Sequence, residues 1–247
     1  MDEALTPKQR RDRLRSVRIL SAVKAADLDL LAQTLIWRRV GADEEVLSHL
    51  DRGTQVFFAI EGAFKAKLQT AFGRQVAIRQ LPAGSHFGEI AAITDTPRSL
   101  AIVAETDGLL AECPADAFLA LMARDGAFAT AVAAHLARDV VRLTDRVFEL
   151  AALETRFRVY AELLRLAATG EQVDRGVLIR GAPTHVAIAA AIGAQREAVN
   201  RELRALASAG VIAQHRRELL ILDMERLRDA LRRRAGATTS DAVDWRL

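Results

Sequence analysis

The chain has 247 residues, enough for one large domain or two modest ones, and its 51% apolar and 27% charged content is an ordinary globular balance. No apolar run reaches the ~18 residues that a membrane span needs, and residues 1–18 lack the apolar core of a signal peptide. Cys113 is the one cysteine, so neither an internal disulfide nor a cysteine-based metal cluster is available. These features point to a reducing, cytoplasmic setting without a membrane partner. The net charge of +3 is unevenly spread: residues 155–234 hold 15 Arg, no Lys and nine acids, whereas residues 1–154 hold 19 basic and 21 acidic residues. A basic C-terminal part fits either a polyanionic partner or a solvated Arg-rich surface.

In chain order, residues 14–38 read as helical, with Leu20, Val23, Leu28, Leu31 and Leu35 at helical spacing. From about 40 to 113 the texture is short strands and Gly turns, the pattern of an antiparallel sandwich or roll. Val56–Ile60, Val76–Ile78 and Ala101–Ala104 are the strands, with turns at Phe72-Gly73-Arg74 and Leu81-Pro82-Ala83-Gly84. Pro114-Ala115-Asp116 looks like a helix start, because Pro suits the first turn and Asp complements the helix dipole. A break is expected near Gly126. Beyond it Ala133, Leu136, Val140, Leu143, Val147 and Leu150 are spaced 3, 4, 3, 4, 3, a seam for helix pairing. The charged flanks Arg138, Asp139, Arg142, Asp145, Arg146 and Glu149 favour pairing with a second copy over packing within the chain. Helices and a few short strands follow, and the segment from Ala235 reads as a flexible tail.

The most specific motif runs from Phe87 to Ser99: Phe87-Gly88-Glu89-Ile90-Ala91, then Pro97-Arg98-Ser99. Gly88 permits close backbone approach, and the N–H groups that open a short helix after it suit a phosphate. Arg98 offers a forked, charge-assisted donor to the same oxygens. Glu89 can accept from a ribose 2′-OH, and Ser99 can donate to phosphate or base. The pattern resembles the phosphate-binding cassette of cyclic-nucleotide-binding domains.

A second motif covers Thr184 to Leu203 and reads as helix, turn, helix. Thr184 is a natural N-cap; Ile188, Ile192, Val199 and Leu203 are its apolar anchors, and Gly193 makes the turn. The exposed side of the second helix carries Gln195, Arg196, Glu197, Asn200 and Arg201. Arg forks suit guanine, and Glu suits cytosine N4. Val211-Ile212, Arg216-Arg217 and Leu219–Leu222 look like a two-stranded wing.

With both motifs in this order, the chain resembles the cAMP receptor protein (catabolite activator) and fumarate-nitrate regulator family, on its cAMP-receptor-like branch. The resemblance implies an α+β chain: a jelly-roll-like β-roll sensor at 1–113, a long dimerisation helix at 114–153, a winged helix-turn-helix at 154–234 and a tail at 235–247. It implies a homodimeric regulator that binds palindromic, TGTGA-like double-stranded DNA, answers to cAMP or cGMP, and works with RNA polymerase. Phe87, Gly88, Glu89, Ile90, Ala91, Arg98 and Ser99 would hold the nucleotide, with Leu143 and Thr144 at the adenine-contacting pair. Arg196, Glu197 and Arg201 match the family's R-E-x-x-x-R base readers, and Thr184 and His185 fall where relatives touch phosphate. Three departures stand out. Leu143 replaces a hydroxyl residue, His49-Leu50-Asp51 replaces a Gly-Asp turn, and Leu100 replaces a small residue. An iron–sulfur centre lacks cysteines, and His86 and His49 read as surface or turn residues, so neither metal nor haem is expected. The competing readings are a regulator of this family that has lost its ligand, and a nucleotide-binding subunit that controls a partner protein. No Ser-His-Asp set, metal cluster or Walker motif suggests an enzyme.

Overall fold

The computed structural model describes residues 6–69 and 75–235. The chain forms two compact units, Met1–Val140 and Val141–Leu247.

The first unit opens with helix α1 (Pro7–Arg15), set by a capping box in which the Thr6 hydroxyl accepts from the Gln9 N–H and the Gln9 side chain reaches back to the Thr6 N–H. After a single tight turn at Arg18–Leu20 comes α2 (Ala25–Thr34). The helical reading of 14–38 is therefore corrected. Leu20, Val23, Leu28, Leu31 and Leu35 are all buried as their spacing suggests, but the segment is two helices and a turn. From Ile36 it becomes strand β1 (Ile36–Val40), because Trp37 and its neighbours pair with a later strand rather than extend the helix.

The strands that follow are β2 (Glu45–Leu47), β3 (Val56–Glu61), β4 (Ala63–Gln69), β5 (Gln75–Pro82), β6 (His86–Phe87), β7 (Ala101–Ala104) and β8 (Gly108–Cys113). They make two four-stranded sheets, ordered β1-β8-β3-β6 and β2-β7-β4-β5, with antiparallel pairing throughout. Strand β3 is buried on both faces. Its period-two alternation sends Val56, Phe58 and Ile60 to a core shared with the helices, and Phe57 and Ala59 to a core between the sheets. The turn expected at Phe72–Arg74 lies outside the described residues. Helix α3 (Glu89–Thr94) interrupts the strands just after β6.

Helix α4 (Ala115–Arg124) begins after Pro114 as expected, and packs Phe118 edge-on to Phe128 at 5.3 Å. The break falls at Asp125, whose carboxylate accepts from the N–H groups of Ala127 (2.9 Å) and Phe128 (3.0 Å) and so caps the long helix α5 (Gly126–Ala152). No single helix among the described residues is long and apolar enough to cross a membrane.

The second unit contains the end of α5, then α6 (Thr155–Ala167), β9 (Glu171–Val173), β10 (Gly176–Arg180), α7 (His185–Ala191), α8 (Arg196–Ser208), β11 (Ile212–His215), β12 (Glu218–Ile221) and α9 (Met224–Ala235). The expected wing is the β11–β12 hairpin, with its turn at Arg216 and Arg217. It belongs to a four-stranded sheet, β11-β12-β10-β9, because β10 pairs with β12 (Leu178 opposite Leu220). One core gathers Phe157, Val159 and Leu163 of α6, Ile188 of α7, Val199 and Leu203 of α8, and Leu227 and Leu231 of α9. Helix α9 runs to Ala235, the residue at which the tail was expected to begin; residues 236–247 lie outside the described residues.

The His49-Leu50-Asp51 turn needs a left-handed residue, and Leu50 supplies it at φ 68° with its side chain 66% exposed. The backbone fastens there: Leu50 N–H donates to Arg98 O at 2.9 Å, and Arg98 N–H to Asp51 O at 2.8 Å. A β-carbon in that conformation is strained, and glycine is not. Relief of about 1–2 kcal/mol set against glycine's entropic cost of about 0.5–1 leaves a net gain of up to about 1.5 kcal/mol, with a midpoint of about 0.7, for Leu50→Gly. Chemical denaturation monitored on the first unit should show that gain; an equal loss instead would mean the leucine side chain contributes more than the strain costs.

Candidate ligand cassette and nucleic-acid interface

The cassette is built where β6 meets α3. Gly88, the residue before α3, has φ 94°, and a β-carbon on it would lie 2.7 Å from both Arg98 Nη1 and Gln55 O. Conformation and space therefore both require glycine. Arg98 is 2% exposed. Its Nη1 donates to Gly88 O at 3.0 Å and its Nη2 to Gln55 O at 2.7 Å, and the guanidinium lies 5.9 Å from the Phe57 ring centroid. Burial weakens its hold on the proton, while Asp51, Glu89 and Glu112 support the charge.

Glu89, in the first turn of α3, is also buried, and its Oε2 has no hydrogen-bond partner. Burial lifts the Glu89 carboxyl above its usual range, with Asp139 adding to the rise and Arg79 and Arg98 opposing it. An acceptor of this kind, buried and unmet, suits a hydroxyl donor. Ser99 and Ile90 are exposed and Ala91 is buried. Phe87 is turned into the sheet core, stacked on Phe57 at 5.3 Å and tilted against Phe64, so its ring supports the cassette from behind. Leu143 and Thr144 lie exposed on the part of α5 that belongs to the second unit.

His86 corrects its own reading as a surface or turn residue. It sits on β6, buried, with its ring centroid 4.3 Å from that of His135 on α5. Burial first, then the charges of His135, Arg79 and Arg18, push the His86 imidazole down to about 3.

In the second unit the Thr184 hydroxyl accepts from Ala187 N–H at 3.2 Å and caps α7. Ile188, Ala189 and Ile192 are buried, and Gly193 turns the chain at φ 60°. Ala194 N–H bonds to Ala189 O at 2.9 Å, and Gln195 opens α8. Val199, Leu203 and Leu206 anchor α8 inward. On its outer side Gln195, Arg196, Glu197 and Arg201 are exposed, Asn200 is half-buried, and Arg201 leans toward Glu202 at 3.7 Å. Thr184 is exposed and His185 half-buried at the start of α7. Residues at i, i+1, i+4 and i+5 share one helix face, so Arg196, Glu197, Asn200 and Arg201 form one polar surface.

Two family descriptions match the chain: "Cyclic nucleotide-binding domain" over residues 37–125 and "Crp-like helix-turn-helix domain" over residues 157–230. The cyclic AMP receptor protein of Thermus thermophilus is 33% identical over 165 residues, covering 66% of this chain and 72% of the relative. The chain belongs to the cyclic AMP receptor protein family of transcription regulators. The cAMP-activated global transcriptional regulator Vfr of Pseudomonas aeruginosa is 26% identical over 200 residues, covering 79% of this chain and 94% of that protein. A CRP/FNR-family regulator structure from Thermus thermophilus superposes with a TM-score of 0.65 at 24% identity, over 81% of this chain and all of the other, and so shares the fold.

Within this family fold, one polar cluster escaped sequence reading. Glu149 had been grouped with the charged flanks of the α5 seam, yet it is 1% exposed. Its Oε1 accepts from Arg165 of α6 at 2.6 Å and its Oε2 from Arg146 at 2.8 Å. Arg165 also donates to Glu162 at 2.8 Å, and Arg146 to the Ala191 carbonyl that ends α7. Burial alone would lower Arg165, but Glu149 and Glu162 hold it above its usual value. Leu150 lies 3.2 Å from where a β-carbon on Gly193 would sit. The last turns of α5 are thus tied to the helix-turn-helix they precede. Glu149→Ala leaves two arginines without their shared acceptor and should destabilise the second unit by about 3–5 kcal/mol, the cost of breaking a buried pair from one side. Urea denaturation measures this; a loss below about 1 kcal/mol, typical of a surface pair, would mean the cluster is solvent-screened.

Proposed function

We propose that this family member is a homodimeric, sequence-specific DNA-binding regulator gated by a cyclic nucleotide, with cAMP the first ligand to test and cGMP its competitor. The observation that carries the reading is one chain holding both a buried Glu89–Arg98 cassette and an outward-facing Arg196/Glu197/Arg201 helix. Glu89 Oε2 would accept the ribose 2′-OH, a hydroxyl that deoxyribose lacks. The Arg98 guanidinium, already fixed by two carbonyls, would stand with Ser99 and the first N–H groups of α3 around the phosphate. Thr144 can bond a base edge and Leu143 cannot, which loosens selection between adenine and guanine. A ligand-independent regulator of the same family is the second reading, favoured by an Arg98 guanidinium whose two Nη atoms are already engaged by Gly88 O and Gln55 O.

Dimerisation is supported by apolar residues left on the surface of α5: Val140, Val141, Leu143, Val147, Phe148 and Leu150 are all exposed. Leu136, by contrast, packs against the first unit's core, so a test of the seam should spare it. Val140→Asp with Val147→Asp places unpaired charge in a helix–helix contact and should yield monomers by light scattering. A variant that stays dimeric puts the contact elsewhere.

A two-fold dimer sets two reading helices in successive major grooves, about 34 Å apart, so the site should be a palindrome with TGTGA-like halves. Arg196 and Arg201 each suit a guanine, Glu197 suits a cytosine, and Thr184 and His185 suit phosphates. RNA polymerase is the protein partner such a regulator serves. Selection on random duplexes at fixed salt tests the assignment. Wild type should return a palindrome. Arg201→Ala and Glu197→Ala should each relax one base pair, at about 1–3 kcal/mol. No palindrome from wild type, or an unchanged motif from both variants, would overturn it.

A further inference from the structure

Beside the cassette three side chains converge that no nucleotide contact requires together. His86 comes from β6, Glu89 from α3 and His135 from α5, and one donor atom of each lies within 4.8 Å of the other two. His135 Nε2 is 3.9 Å from Glu89 Oε1. All three residues are at least nine-tenths buried. His86 Nε2 and His135 Nε2 lack a hydrogen-bond partner, as does Glu89 Oε2, the oxygen given to the hydroxyl in the nucleotide reading. Unmade bonds on buried polar atoms are costly and rare, and two such imidazole nitrogens beside a carboxylate mark a place where something is meant to bind.

We propose that His86, Glu89 and His135 form a binding site for a divalent transition metal of the zinc class, with two imidazole nitrogens and one carboxylate oxygen as protein ligands. The donor set is the one such ions prefer, at bond lengths of about 2.0–2.2 Å, and three protein ligands leave a further position open. Metal binding needs neutral imidazoles; burial disfavours the charged form of both histidines, and Asp139 pulls the other way on His135. Arg79 and Arg18 act on both histidines, Arg138 acts on His135, and Arg98 on Glu89. Arg79 Nη1 is paired with Asp139 at 2.7 Å, Arg18 donates to Ser85 Oγ at 3.3 Å, and Arg98 donates to the Gly88 and Gln55 carbonyls. Asp139 Oδ2 stands 3.7 Å from His135 Nε2 and adds a second carboxylate charge next to the ligands. A carboxylate has two oxygens, so Glu89 can hold a metal with one and accept a hydroxyl with the other. The site shares Glu89 with the nucleotide reading but does not rest on it.

The test uses the full-length chain, stripped with a chelator and titrated with Co²⁺, then Zn²⁺. One Co²⁺ per chain should bind with visible d–d bands, and one equivalent of Zn²⁺ should bleach them. X-ray absorption of the wild-type Co²⁺ form should show two imidazole ligands, a readout that needs no variant to fold. His86→Leu and His135→Leu should each lose the bands and weaken Co²⁺ binding by more than the about 10–100-fold that loss of an outer-shell partner causes. Absence of the bands in wild type, or bands unchanged in both variants, overturns the site. A cAMP titration of the same stripped wild type reports the nucleotide reading separately. A chain that binds cAMP but takes up no Co²⁺ overturns the metal site alone; one that takes up Co²⁺ but does not bind cAMP upholds it and counts against the nucleotide.

Discussion

A guanidinium group lies inside the first unit, and the cassette is arranged around it. Arg98 reaches Gln55, the residue before β3, and the turn at Gly88 through its two Nη atoms, while its own backbone is clasped by Leu50 and Asp51. A buried charge is tolerable only when hydrogen-bonded and partnered. Here two carbonyls accept hydrogen bonds from Nη1 and Nη2, and Asp51, Glu89 and Glu112 supply the opposing charge. That requirement explains why Gly88 can bear no β-carbon, and why Leu50 is held in a conformation that leucine disfavours. It also explains why Glu89 is buried close enough to sense the guanidinium. An anion brought to this place meets donors already fixed in position.

The second unit solves an equivalent problem with the opposite sign. Glu149 is a buried carboxylate, and Arg146 and Arg165 hold it while reaching Ala191 and Glu162. The consequence is mechanical. The end of α5 carries exposed apolar residues on one side and a buried ionic clasp to α6 and α7 on another. In the dimer proposed above, a change in how two copies of α5 meet would act through this clasp on the turn at Gly193 and on α8. Bistability of a packed element, biased by a ligand, is the physical content of such coupling.

What could be read from sequence was what is local. The stretch from Phe87 to Ser99 and the one from Thr184 to Leu203 each compress their chemistry into about twenty residues or fewer, and caps such as Thr184 and turns such as Gly193 announce themselves. Strand β3 was visible because five apolar residues in a row suit a strand buried on both faces. Long-range consequences stayed hidden. His135 is distant in sequence from His86, and nothing in the pattern of α5 says that they meet. Glu149 looked like a solvated flank because a charge beside a seam usually is one. The helical spacing across 14–38 was genuine as burial but misleading as continuity, since no Pro or Gly marks the passage into β1. Strand β9, three residues long with two of them polar, has no signal at all apart from its partner β10. The turn at Leu50 is the instructive case. The departure from a glycine was evident in the sequence, but only the positive φ shows that the leucine adopts the glycine conformation and carries the strain.

The central claim is that occupancy of the Glu89–Arg98 cassette changes how well the α8 surface holds DNA. Fluorescence anisotropy of the full-length chain on a palindromic duplex, at fixed salt and with increasing cAMP or cGMP, measures this directly. A gated regulator should bind DNA about 5–150-fold more tightly with its nucleotide, the span of ordinary allosteric coupling. An affinity that neither nucleotide alters at saturation would contradict the account and leave a DNA-binding protein whose cassette serves another purpose.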